Sequence, residues 1–325
     1  LGAVAAGFVS AMIGIMLNTP TCGFNGRFCN GACGGLMEHL EKHLHGQELA
    51  RSQLGYVVCD HLANPKPRKP LVLALHGPSG VGKSFTHALL GEALYNGTSA
   101  LSPCPGEACP AYKAIKGARE DVDVNLLRHL QTYEESVIVI EEYDKVGCAA
   151  RDLLNQVLDK GEVEGTDAET DEDALFRRSI IVLEANRGHL ELLPLMNKGR
   201  ASPEAAQRVL KDVLFQFWYK EKKCDTREDT LKLVSSIDVF IPFFPLAKKD
   251  IRDIAQAQLE ARADFLAYEG AFERLEWDAD VPDFLAGKVE YEGGYAIEGG
   301  KEVKVAISRY VSRALYPLRG GSERC

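Results

Sequence analysis

Three short runs along the chain are apolar at every position: Leu71 to Leu75, Val137 to Ile140 and Ile180 to Leu183. A segment that is apolar on both faces fits a strand buried on both faces, as in a parallel sheet covered by helices. Ala111 to Ile115 reads as a further strand. Between these runs the spacing predicts helices over 36–44, 47–63, 83–95, 122–130 and 149–158, with an amphipathic helix over 203–219. Strand alternating with helix implies an α/β fold on a parallel sheet. The Pro-rich stretch from Asn64 to Pro70 cannot be helical and connects the second helix to the first strand. After Pro245 the pattern is helical only, which places a boundary near Leu246. Four segments follow: an apolar segment over 1–20, a Cys-containing linker over 21–34, an α/β domain over 35–246 and a small helical domain over 247–325.

Residues Leu1 to Leu17 are almost wholly apolar. The run falls short of the roughly 20 residues that span a bilayer. It has no basic flank and starts with Leu, so it does not read as an intact signal peptide. The expectation is a helix lying in one membrane leaflet or in an oligomer contact, with a core helix as the alternative.

Composition changes this picture little. The 325 residues are 46% apolar and 26% charged, ordinary values for a folded protein. A net charge of −9 removes the electrostatic motive for a nucleic-acid partner. The nine cysteines matter more. Cys22, Cys29 and Cys33 cluster, and Cys104 and Cys109 bracket a Pro/Gly loop. Both groups fit disulfides in an oxidising compartment, or free thiols.

The chemistry sits at the strand ends. Gly77-Pro78-Ser79-Gly80-Val81-Gly82-Lys83-Ser84 completes the phosphate-binding pattern G-x-x-x-x-G-K-[ST] between an apolar strand and a helix. Its glycines let backbone N–H groups face phosphates, and the helix N-terminus adds positive potential. Lys83 is placed to reach the β- and γ-phosphates of ATP, and the Ser84 hydroxyl to ligate Mg²⁺. Val137 to Ile140 followed by Glu141-Glu142 has the form of a Walker B strand. Glu141 would hold the Mg²⁺ shell, standing where Asp is usual, and Glu142 would polarise the attacking water. Asn186, ending the third apolar strand, fits a sensor-1 residue that orients that water.

These motifs, in this order, resemble the torsins, relatives of the Clp/Hsp100 AAA+ ATPases. Further matches carry the resemblance: His45-Gly46-Gln47-Glu48-Leu49-Ala50, the Asn64 to Leu71 lead into the first strand, Ser136 to Lys145, and Ile237 to Leu246. The resemblance implies an AAA+ parallel sheet with a small C-terminal helical lid, and Lys301, after Gly299-Gly300, as the sensor-2 lysine. It implies an ATP hydrolase of the endoplasmic reticulum lumen and nuclear envelope that forms a homo-oligomeric ring or filament. It also implies a membrane-anchored activator that donates an arginine, and remodelling of protein or membrane assemblies. A structural reading competes, in which ATP stabilises an oligomer on membranes with little turnover. Two departures stand out. Ser84 replaces the family's Asn. Gly300 and Ile254 stand where a redox-active cysteine pair would fall. Ser236 occupies the position that holds an arginine finger in Clp-type relatives, which matches the torsin habit of lacking one. No aromatic lies between Lys116 and Leu127, where a substrate-threading loop would be expected.

Overall fold

The computed structural model describes residues 26–96, 109–119, 122–160, 177–197, 199, 201–224, 226–270 and 272–316. The apolar segment over 1–20, Cys22, Cys104, Cys325 and the acidic stretch over 162–173 lie outside them. Among the described residues no helix is long and apolar enough to cross a membrane.

The elements alternate as the hydrophobic pattern requires. Helices α1 (Ala32–His43) and α2 (Glu48–Ala63) precede β1 (Leu71–His76) and α3 (Lys83–Asn96). Then come β2 (Tyr112–Lys116), α4 (Val122–Thr132), β3 (Val137–Glu141), α5 (Cys148–Lys160) and β4 (Ile180–Ala185). Next are α6 (His189–Asn197), α7 (Pro203–Gln216), α8 (Arg227–Ser236) and β5 (Val239–Pro242). The described residues finish with α9 (Lys248–Tyr268), α10 (Val281–Ala286), the small hairpin β6 (Tyr291–Glu292) and β7 (Tyr295–Ala296), and α11 (Lys301–Ala306), which runs on through a π-helical stretch, Ile307–Ser312, into a last turn, Arg313–Leu315.

Five strands form one parallel sheet in the order β2-β3-β4-β1-β5. The absence of any period in the apolar runs has a direct cause. Val72, Ala74, Ile138, Ile140, Ile181 and Leu183 face one helical layer, while Leu71, Leu73, Val137, Val139, Ile180 and Val182 face the other. Polar alternation along these strands would leave charge in one core or the other. The second layer is shared: Leu36, Leu40 and Leu54 from α1 and α2 lie in one cluster with Ile251, Ala255, Leu259 and Val303 from the C-terminal helices.

The register aligns the strands' C-terminal ends. Leu75 and Glu141 both sit opposite Glu184. The loop after β1, the turn after β3 and the turn after β4 therefore leave the sheet side by side, where ligands bind in open α/β sheets.

Several elements, α6 and β5 among them, escaped the periodicity. Residues 227–236 read as a polar stretch but form α8, started by Thr226, whose hydroxyl accepts from the Asp229 N–H. Its few apolar contacts come from the buried Leu233 and Val234. Helix α7 runs to Gln216 and continues as a π-turn over Phe217–Lys222, which buries Phe217 and Trp218.

Two disulfides span elements. Cys33–Cys59 ties α1 to α2, and Cys148–Cys224 ties the start of α5 to the chain just after the π-turn. Cys29 and Cys109 are disulfide-bonded as well. Cys33 thus pairs outside its own sequence cluster, and Cys148 and Cys224 pair across 76 residues, a distance at which spacing carries no signal.

Candidate nucleotide-binding site

The phosphate-binding loop turns between β1 and α3 with Gly80 and Gly82 at φ 79° and 105°, values that favour glycine. Gly77 is needed for a different reason, since a Cβ there would collide with the Phe243 carbonyl. Gly80 packs against the backbone of Glu298 and Gly299, and its carbonyl accepts from the Gly300 N–H at 2.9 Å. The C-terminal helical part therefore contacts the loop through backbone, which leaves no room for a side chain at Gly80.

Lys83 is 3% exposed. Its ammonium donates to the Gly77 carbonyl at 2.9 Å, the Pro78 carbonyl at 2.7 Å and Asn186 Oδ1 at 2.8 Å. Burial pushes its pKa down to about 8, opposed by the Glu184 carboxylate and assisted by the Lys301 charge. Lys301 reaches the loop from the opposite side and donates to Ser79 Oγ at 2.8 Å. Glu141 and Glu142 line the same cleft. Glu142 has left-handed backbone, at φ 53° and ψ 43°, and its carboxylate accepts from Lys145 at 2.6 Å.

The cleft has a volume of about 590 Å³. Its lining combines a polar set, the loop with Glu141, Glu142, Glu184 and Asn186, and an apolar set, Leu44, Leu246, Ile254, Ala257 and Ala261, together with His43 and His45. Burial holds both histidines below their usual pKa, so they present neutral rings. The polar set suits phosphates and the apolar set a purine base.

Every residue singled out from the sequence lines this cleft except Gly77 and Pro78, whose carbonyls hold Lys83. Sequence reasoning missed Glu184. It is the penultimate residue of β4, within an otherwise apolar run, and that interruption was the available signal. The Ser84 hydroxyl donates to its carboxylate at 2.9 and 3.1 Å. Burial would raise the Glu184 pKa, but the neighbouring His87, Lys83 and Ser84 outweigh it and hold the carboxyl below its ordinary range. The oxygen donors Ser84, Glu141 and Glu184 form a set that suits a hard cation such as Mg²⁺.

A second layer braces the site. His76, the last residue of β1, is fully buried and lies 2.6 Å from the Tyr143 hydroxyl through Nε2 and 3.3 Å from the Arg187 carbonyl through Nδ1. Burial pushes its pKa down to about 4, so it stays neutral. Arg187, next to Asn186, pairs with Asp144 at 2.9 Å and stacks 3.5 Å over the Phe217 ring.

Ser236 is buried at the end of α8, and its carbonyl accepts from Lys69. An arginine introduced there would be forced into the packing between α8 and the sheet rather than presented to a neighbour. Arg227, at the start of α8, lies 5.9 Å over the Phe215 ring. Gly300 and Ile254 are adjacent, with a built Cβ on Gly300 3.4 Å from Ile254 Cδ1. The positions of the family's cysteine pair thus adjoin, but no thiol occupies either.

Sheet order, phosphate loop and strand-end residues define a protein of the P-loop AAA+ fold. A closed-state cryo-EM reconstruction of Hsp104 with ATPγS and FITC-casein superposes with a TM-score of 0.64 at 18% identity, over 88% of this chain and 48% of that one. Within that class the chain is similar to the torsins. The torsin family model matches residues 21–139, which run from the N-terminal linker through α1, α2 and the phosphate loop into β3. A torsin-like protein of Drosophila melanogaster is 25% identical over 297 residues, covering 85% of this chain and 81% of its own length. One of Caenorhabditis elegans is 25% identical over 230 residues, 67% of this chain and 62% of its own length. The resemblance read from the motifs therefore holds.

The Lys83 geometry has a pH consequence. Phosphates brought against Lys83 favour its charged form and raise its pKa, so binding takes up a proton wherever the free site is deprotonated. Affinity for ATP is expected to be level below about pH 7 and to fall as pH rises through about 8. Calorimetric titrations in buffers of different ionisation enthalpy would read this proton uptake; none at pH 8.5 would contradict it.

Proposed function

We propose that this protein binds ATP with Mg²⁺ in the cleft and hydrolyses it slowly unless a partner completes the site. The observation that carries the reading is the meeting, at one loop, of side chains from three distant parts of the chain: Lys83 on Asn186, and Lys301 on Ser79. Two ammonium groups and a row of backbone N–H groups converge on one spot, which is chemistry for a polyphosphate rather than for a neutral ligand.

Lys83 neutralises charge on the β- and γ-phosphates, and Lys301 approaches the γ-phosphate from the helical part. Asn186 orients water, and Glu142 accepts its proton. Ser84, with Glu141, holds the cation, which when bound screens the phosphate oxygens and draws charge from the leaving group. Glu142 is held by Lys145 and must turn from it to reach a water.

The residue that stabilises charge on the transferring phosphoryl group is not supplied by Ser236. We assign that role to an arginine of a membrane-anchored activator. The disulfides fit an oxidising compartment, the endoplasmic reticulum lumen or nuclear envelope. Residues 1–17 would carry membrane contact, and remodelling of protein or membrane assemblies by a homo-oligomer would be the output. The segments 1–20, 21–34, 35–246 and 247–325 would then serve as anchor, linker, nucleotide domain and lid.

The test compares ATP turnover by the purified protein alone and with a torsin activator's luminal domain. Slow basal turnover and stimulation of roughly a thousandfold or more are expected. Brisk unaided turnover would sink the activator, and no turnover in either case would favour a structural, ATP-stabilised oligomer.

A further inference from the structure

Ser84 can ligate a cation only if its single proton points elsewhere, because the hydroxyl then offers its lone pairs to the cleft. In this structure the proton has a defined destination. The hydroxyl donates to Glu184, with both carboxylate oxygens within 3.1 Å, and not to Glu141. Glu141 and Glu184 sit in register on adjacent strands, so both reach the same row of the site. It is Glu184, on the strand next to β1, that touches the phosphate-loop hydroxyl.

Glu184 is itself held. Its side chain is 12% exposed. Behind it lies His87, 2% exposed, with Nε2 3.4 Å from the carboxylate and Nδ1 2.7 Å from the Tyr112 hydroxyl. Nε2 has no hydrogen-bond partner among the described residues, and its nearest acidic neighbour is this carboxylate. A polar chain thus runs from Tyr112 on β2 through His87 on α3 to Glu184 on β4 and ends at the hydroxyl of Ser84. A carboxylate removed from water in this way costs stability unless its partners compensate. Buried carboxylates behind a ligand hydroxyl act by fixing where its lone pairs point.

We propose that Glu184 is the principal positioning carboxylate for the divalent cation that accompanies the nucleotide, through its hold on the Ser84 hydroxyl, with Glu141 in the lesser role. This rests on the ATP-binding reading above. It makes the longer Glu141 side chain at the Walker B position tolerable, because the cation's geometry is set from the neighbouring strand.

A purely structural Glu184, acting as counter-charge to Lys83, would affect nucleotide binding with or without metal. A positioning Glu184 affects the metal-dependent part far more than the metal-free part. The experiment therefore measures ATP affinity in EDTA and across a Mg²⁺ titration for wild type, Glu184→Gln, Glu184→Asp and Glu141→Gln. Thermal melts establish that each variant folds. Direct Mn²⁺ binding in the presence of ATP, read by electron paramagnetic resonance, provides a readout independent of turnover.

Glu184→Gln is expected to raise the Mg²⁺ concentration at half-maximal effect, and the Mn²⁺ dissociation constant, by roughly 10- to 100-fold. Its affinity for ATP in EDTA changes by much less than its metal midpoint, and Glu141→Gln shifts the metal midpoint less. Glu184→Asp keeps the charge but shortens the reach and is expected to fall between wild type and Glu184→Gln; it carries the test if the glutamine variant does not fold. An unchanged metal midpoint in a folded Glu184 variant overturns the proposal, as does an equal loss with and without metal. A wild-type protein that binds no ATP in either condition overturns the ATP-binding reading itself, and this proposal with it.

Discussion

Lys83→Ala is expected to reduce ATP affinity below detection in ordinary titrations. The ammonium is buried, and its three donors engage two loop carbonyls and Asn186. It is therefore already aimed where the β- and γ-phosphates lie in a P-loop site, so little entropy is lost in recruiting it. Alanine removes the central positive charge from the site, leaving Lys301 and Lys304 in its lining. Truncating one partner of a buried, hydrogen-bonded charge pair costs about 2–5 kcal/mol, or roughly 30- to 4,000-fold in affinity. The protein itself should stay folded at some cost in stability, since the Gly77 and Pro78 carbonyls each lose a donor. Lys83→Arg is expected to fare little better: a planar fork does not fit a pocket shaped for a point charge. Fluorescent-nucleotide titration alongside thermal melting checks both. Wild-type affinity in a folded Lys83→Ala protein would move the phosphate site away from this loop.

Which parts of this molecule the sequence reveals depends on how local their determinants are. Strands β1, β3 and β4 were legible because burial on both faces admits only apolar residues. Their ends were less so: Glu141 and Glu184 stay in the ladder, and a charged residue ordinarily reads as a terminus. β5 has only four residues and ends in Pro242, so no period develops within it. It is held by pairing with β1 across about 165 positions, with Asp238 accepting from the Val72 N–H. Helix α8 is polar because much of its surface meets water.

The site divides in the same way. Gly77 to Ser84 are contiguous, and their spacing alone carries the chemistry. Glu142 and Asn186 follow recognisable strands. The contact from Lys301 to Ser79 spans 222 positions and became visible only through resemblance. Glu184 was passed over because its importance lies in the register of β4 against β1, which brings it to Ser84. No spacing rule states that register.

Glu142→Gln is expected to bind ATP at near wild-type affinity while losing about 10²- to 10⁴-fold in turnover, the usual contribution of a positioned general base. The substitution is nearly isosteric, and glutamine can still orient a water but cannot accept its proton. Backbone strain does not confound the comparison. Position 142 lies at φ 53°, a region costly for any side chain of this kind, and Glu and Gln meet it alike. A strained residue at the end of a central strand is itself a mark of a functional position, because the surrounding structure must hold it there. What the variant does alter is the ion pair with Lys145, whose ammonium is half-exposed, so its loss affects stability little. If Glu142 is the base, single-turnover measurements with the activator present should show ATP bound and uncleaved, and the ATP-bound assembly should accumulate on size-exclusion chromatography. If the variant turns over at the wild-type rate, the base lies elsewhere. Glu141 is then the next candidate, on the same strand end and lining the same cleft.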